Sequence, residues 1–204
     1  MLWTTNYLTM SKIKAKRVKK LQKELDYWHS ELEYVKEILE EYHIEFEVYH
    51  RQYCAERDID LAGLNKQSSK KVDQMLNKPV KIDNGVLSQS GRKYKDVFNR
   101  IYKKMAKKLH PDIGGDEEVF KQVTSAMGEK DIKKLLDICQ EHDIIIDISD
   151  DLIKLLKEQI GETKDLINKE KSTYSWSLYS CEENEKCKQS VVKKFLKHLF
   201  NYEE

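Results

Sequence analysis

From Val18 to Tyr53 apolar residues recur three and four apart without a break: Val18, Leu21, Leu25, Trp28, Leu32, Val35, Leu39, Tyr42, Phe46, Tyr49 and Tyr53. Alternating steps of three and four keep side chains on one stripe of an α-helix, and a stripe this long is buried only against other helices. The pattern predicts a long coiled-coil helix over residues 12–62. Trp28, Tyr42, Phe46, Tyr49 and Tyr53 are wide for a tight parallel two-stranded dimer, so antiparallel or multi-helix packing fits at least as well. Ile153, Leu156, Ile160, Thr163 and Ile167 repeat the spacing and predict a second coiled-coil helix over 150–172. That helix could close an intramolecular antiparallel hairpin on the first. The rival is a homodimer through the N-terminal helix.

Two prolines, seven glycines and 36% charged residues in 204 favour a small domain attached to extended helices over one compact body. The net charge of +1 hides segregation. Arg92 to Leu109 carries eight Lys or Arg against Asp96 alone, whereas Glu24 to Asp60 carries twelve acids against Lys36, Arg51 and Arg57. Blocks of this kind mark partners or mutual docking.

Within the basic block, Val97, Phe98, Ile101, Tyr102, Met105, Ala106 and Leu109 form one apolar stripe. The helix they define must stop at His110-Pro111-Asp112. Pro111 has no N–H to donate and pushes His110 out of the helical region, so the tripeptide is expected in a tight exposed loop. Gly114 and Gly115 permit a turn, and Asp116 reads as the N-cap of a second helix, with Glu117 and Glu118 in its first turn. That helix is expected to bury Val119, Phe120, Val123, Ala126 and Met127, which makes a helical hairpin with His-Pro-Asp at its tip.

These residues resemble the J-domain co-chaperones, which stimulate DnaK-type chaperone ATPases of the 70-kilodalton heat-shock class. Phe98, Tyr102, Met105-Ala106 and Leu109 fill the places of the family's second helix. Phe120-Lys121, Val123 and Ala126-Met127 fill those of its third. The extended form His-Pro-Asp-x-Gly-Gly-Asp is similar to a variant in some bacterial, phage and small-DNA-virus J-domains. Gly128 to Asp131, followed by Ile132, Leu135, Leu136 and Ile138, looks like that variant's short fourth helix. The resemblance covers residues 92–143. Upstream, Pro79, Asn84, Gly85 and Gly91 leave no room for the family's first helix. Ser69 to Asn77, with Val72, Met75 and Leu76 on one face, is the best substitute, failing which the N-terminal helix must cover the hairpin.

Together with the two heptad stripes, the resemblance implies an all-α fold in which a J-domain-like hairpin is flanked by long coiled-coil helices. It divides the chain into a coiled-coil helix (12–62), a linker holding at most a short helix (63–91), the J-like region (92–143), a second coiled-coil helix (150–172) and a C-terminal segment (173–204). The last ends in an amphipathic helix bearing Val191, Val192, Phe195, Leu196 and Leu199. It also implies the contacts. His110, Pro111 and Asp112 would insert between the partner's domains, with Asp112 accepting hydrogen bonds from an arginine. Arg100, Lys103, Lys104, Lys107 and Lys108 would meet an acidic surface and steer association. The arm would recruit a client or assembly as a module separate from the hairpin.

The residues themselves suggest no bond-making chemistry, no cofactor and no metal. His110 has no Ser or Cys nucleophile beside it, and there is no phosphate-cradling glycine loop, so ATP would belong to the partner. Two other readings stay open: a scaffolding or assembly protein, viral or otherwise, that keeps the hairpin for packing, and a nucleic-acid-binding helical protein using the Lys-rich helix or Lys12 to Lys23. Cys54, Cys139, Cys181 and Cys187 fit neither a zinc nor a disulfide pattern and read as free thiols in a reducing compartment. No stretch approaches a membrane span, and Leu2 to Met10 does not read as a signal peptide. The expectation is a cytoplasmic protein.

Overall fold

A computed structural model describes residues 2–66 and 93–202, with side chains from residue 12 onward. The fold is all-α, and no strand occurs among the described residues. The helices are α1 (Leu2–Ala55), α2 (Lys95–Leu109), α3 (Glu117–Glu129), α4 (Ile132–Glu141), α5 (Asp150–Glu170), α6 (Tyr174–Tyr179) and α7 (Glu185–Phe200), with a 3-10 turn at Pro111–Ile113 and a short helical stretch at 61–66. None is long and apolar enough to cross a membrane among the described residues. The substitute helix at Ser69 to Asn77 and most of the 63–91 linker lie outside the described residues.

The described residues form two units: 2–30 with 93–164, and 31–66 with 165–202. In the first, the apolar stripes of α2, α3 and α4 share one core with α5 and the beginning of α1. Phe98, Met105, Val123, Ala126, Ile132 and Leu135 are fully enclosed there, together with Leu155 and Leu156 of α5. Val18, Leu21 and Leu25 close the same core from α1, with Trp28 packed against it. The start of the long helix therefore covers the hairpin, and the expected separation of arm from hairpin does not hold there.

The pairing of α1 with α5 corrects a second expectation. Lys14 meets Asp150 at 2.9 Å, and Glu24 meets Lys164 at 3.3 Å. Both partners advance together along the chain, so the two helices run parallel. Heptad spacing on each helix is satisfied by either direction; the ninety-odd residues between Ala55 and Asp150 are what make a parallel return available.

In the second unit, Phe46, Tyr53, Cys54 and Ile59 are buried with Leu178, Cys181, Val191, Val192 and Leu196. The predicted seam faces inward through both units, although Trp28, Leu32, Tyr42 and Tyr49 are only half-buried. In α7, Leu199 is exposed, against expectation. The helix α1 stops at Ala55, short of residue 62, for a local reason. Asp58 takes a left-handed φ of 54°, the Ile59 N–H returns to the Cys54 carbonyl at 2.9 Å, and Ile59 is buried beside Tyr53. A left-handed residue followed by an apolar one folding back is a helix-terminating motif.

The cysteine expectation is corrected here. Cys181 and Cys187 form a disulfide. Cys181 follows α6, Cys187 lies in the first turn of α7, and Glu182 at a φ of 50° turns the chain between them, with the Asn184 N–H donating to the Cys181 carbonyl. The fold-back brings the Cα atoms to 5.5 Å, within disulfide range. Four free thiols are therefore no argument for a reducing compartment. Cys54 and Cys139 are buried outside the disulfide, and burial pushes the Cys139 thiol up to about 11.

Candidate partner-binding site at the His-Pro-Asp turn

The helix α2 runs into the turn as expected. His110 has an extended ψ of 135°, its N–H still donates to the Ala106 carbonyl, and Pro111 opens the 3-10 turn. The two glycines have different jobs. Gly114 takes a φ of 85°, open to glycine at no steric cost. A Cβ on Gly115 would lie 2.1 Å from the Leu109 carbonyl oxygen, so this position needs glycine for close backbone approach. Asp116 then caps α3, its carboxylate accepting from the Glu118 and Val119 N–H groups at 2.8 and 3.1 Å.

Ring contacts fix the direction of the hairpin. At one end His110 and Phe120 lie edge to face with centroids 4.7 Å apart; at the other the Lys130 ammonium sits 5.5 Å over the Phe98 ring. The end of α2 thus meets the start of α3, and the two helices are antiparallel. Phe120 supports the His110 ring from below, so the side chain is 40% exposed, whereas the Asp112 side chain is 85% exposed. Pro111 is exposed as well.

Comparison of the chain with protein-family models, curated proteins and solved structures finds no match.

The basic face of α2 is divided. Lys104 forms an ion pair with Asp147 at 2.9 Å and donates to the Ile145 carbonyl, and Lys108 donates to the carbonyls of His142 and Asp143. Both lysines tether the stretch 142–147 that follows α4, whose Ile144 and Ile146 pack on the core. Arg100, Lys103 and Lys107 are exposed, and none of the three forms an ion pair among the described residues. In sequence the five are alike, because the basic helix is legible without the acidic strap that lies along it; the signal for that strap lies in Asp143, Ile144, Ile146 and Asp147.

At the other end of α2 the Lys93 ammonium and the Tyr94 hydroxyl both donate to Glu158, at 2.7 and 2.8 Å. They hold its carboxyl below the usual carboxylate range. This anchors the hairpin's base to α5 and leaves its tip to solvent. Among the described residues no three His, Cys, Asp or Glu side chains converge as a metal site requires.

Proposed function

We propose that residues 93–143 act as a J-domain-like module that docks on a DnaK-type chaperone and stimulates its ATP hydrolysis. The observation that carries this reading is the division of labour in the hairpin. Its core is complete without the tip, yet Pro111 and Asp112 are held outward by a proline stop, a glycine close approach and a capped helix. Such a tip supplies a carboxylate for charge-assisted hydrogen bonds to a partner arginine. Arg100, Lys103 and Lys107 offer the adjoining positive face, which steers an acidic partner and makes association salt-sensitive. Docking favours the chaperone state that hydrolyses ATP and closes on its client. The remaining helices select the client or assembly, and the protein works in the cytoplasm with its ATP-bound partner.

Packing of Val18, Leu21 and Leu25 on the hairpin supports a second reading, in which the hairpin is a structural element only. Single-turnover ATP hydrolysis by a DnaK-type chaperone separates the two. The co-chaperone reading expects the full chain to raise the rate and His110→Gln or Asp112→Asn to abolish the rise. No stimulation, or stimulation that survives both substitutions, leaves the structural role.

A further inference from the structure

The chaperone reading uses the basic face of α2 and leaves a denser one on α1, within the same unit. Seven of residues 12–23 are Lys or Arg and none is Asp or Glu, whereas no stretch of twelve outside them carries more than five basic residues. At about 100° per residue, Lys12, Lys16, Lys19, Lys20 and Lys23 fall on one stripe of the helix opposite Val18, Leu21 and Leu25. All five are exposed, and the three apolar residues are buried in the core of the first unit. The row is about 16 Å long at about 1.5 Å per residue.

Two features separate this row from cations that stand singly elsewhere, such as Lys36 or Lys186. It is held in place: its inner face is locked into the core, and Lys14 beside it is pinned to Asp150 at 2.9 Å. Its field is also left standing, because the acids that follow it on α1 are drawn off to other helices. Glu24 meets Lys164 of α5 at 3.3 Å, and Asp26 meets Lys133 of α4 at 3.5 Å. Like charges one turn apart oppose the helix that carries them, so the row serves binding and not folding.

We propose that this row docks on the phosphate backbone of duplex nucleic acid without reading its sequence. A row of about 16 Å is longer than the roughly 12 Å width of a major groove, so its two ends reach phosphates of both strands. Other anionic partners fit less well. A helix lying on a membrane needs an apolar face beside its cations, and here that face is inside the core. Docking sites for acidic proteins are built on aromatic and arginine anchors and are poor in lysine, and single strands are held by aromatic platforms; the row offers neither. Base edges are read by side chains that enter a groove, whereas lysines on a helix fixed from behind meet phosphates.

Fluorescence anisotropy of the full-length protein with a duplex DNA of about 20 base pairs, between about 50 and about 200 mM salt, tests this. Five phosphate contacts give a log–log salt slope of about −4.5, a loss of roughly 500-fold in affinity over that range. Lys16→Gln with Lys19→Gln and Lys20→Gln is expected to flatten the slope to about −2 and to weaken binding at low salt at least about tenfold. The same three positions changed to arginine keep both slope and affinity. Lys36→Gln with Lys186→Gln and Lys194→Gln removes as much charge from exposed positions elsewhere and is expected to leave binding at the wild-type level. Two duplexes of unrelated sequence are expected to bind within about twofold of each other. A wild-type chain that does not bind duplex at low salt overturns the proposal. So does a glutamine set on α1 that binds like wild type, an arginine set that loses binding, or a control set that weakens it equally. Phosphatidylserine-containing vesicles or an acidic polypeptide that outcompete the duplex would overturn it as well.

Discussion

The Nδ1 atom of His110 lies 3.2 Å from the backbone nitrogen of Asp112 and 3.4 Å from that residue's carboxylate. One nitrogen cannot serve both. In the neutral ring Nδ1 is bare and accepts from the Asp112 N–H, with the proton on Nε2; in the charged ring Nδ1 donates to the carboxylate instead. The first arrangement shapes the turn and leaves the carboxylate free. The second occupies it.

Nitrogen-15 shifts of the His110 ring should therefore report the Nε2–H tautomer when the ring is neutral. Asp112→Asn keeps the N–H donor and should leave that tautomer unchanged. Because the Asp112 side chain is largely in solvent and the His110 side chain is 40% exposed, Asp112→Asn and His110→Gln should each move stability by no more than about 0.5 kcal/mol in denaturant melts. A larger loss would give the tip a role in holding the fold.

Gly114 and Gly115 should respond differently to alanine. At Gly114 the Cβ meets open space and only the positive φ opposes it, a cost of about 1 kcal/mol. At Gly115 it collides with the Leu109 carbonyl, so the turn must move, at a cost of about 2 kcal/mol or more. Chemical denaturation of the two variants checks the order. Gly115→Ala should also lose ATPase stimulation if the tip is a docking element.

Leu25 and Leu32 stand one heptad apart on the same predicted seam but are not equivalent. Leu25 is 1% exposed in the core that holds the hairpin, whereas Leu32 is half-buried. Leu25→Ala should cost about 3 kcal/mol and raise amide exchange in α2 and α3, while Leu32→Ala should cost about 1 kcal/mol and leave those helices protected. Equal effects on α2 and α3 would contradict the core described for the first unit.

Stability should fall on acidification partly through Glu158. Its carboxyl is depressed in the folded chain by hydrogen bonds from Lys93 and then Tyr94, so the contribution is fully present above the unfolded value of about 4.3 and is lost as pH falls through the folded one. Asp150, held down by Lys14, acts in the same sense. Thermal melts from about pH 7 to about pH 3 should show Glu158→Gln less stable at neutrality and flatter below about pH 4.5.

What could be read from the chain without coordinates was what is encoded locally. Pro111, the two glycines and the Asp116 cap each dictate backbone geometry within a few residues, and the hairpin followed from them. The burial of Ile132, Leu135, Leu136 and Ile138 followed equally from spacing. Direction did not, because an apolar stripe has no polarity; the meetings of Lys14 with Asp150 and Glu24 with Lys164 are what reveal that α5 runs parallel to α1. Cys181 and Cys187 were illegible for a related reason: their spacing counts residues, while their pairing depends on a turn between two helices. The tethering of Lys104 and Lys108 was hidden because charge alone does not say which lysine finds an internal partner.

Lys14 and Asp150 are 136 residues apart in sequence and together at one end of the parallel pair. On a ribosome adding about 5–20 residues per second, Val18, Leu21 and Leu25 emerge on the order of ten seconds before the α5 residues that enclose them. Through that interval the nascent chain displays a sticky, uncovered stripe. If the co-chaperone reading holds, this protein is itself a ready substrate for the class of chaperone it serves.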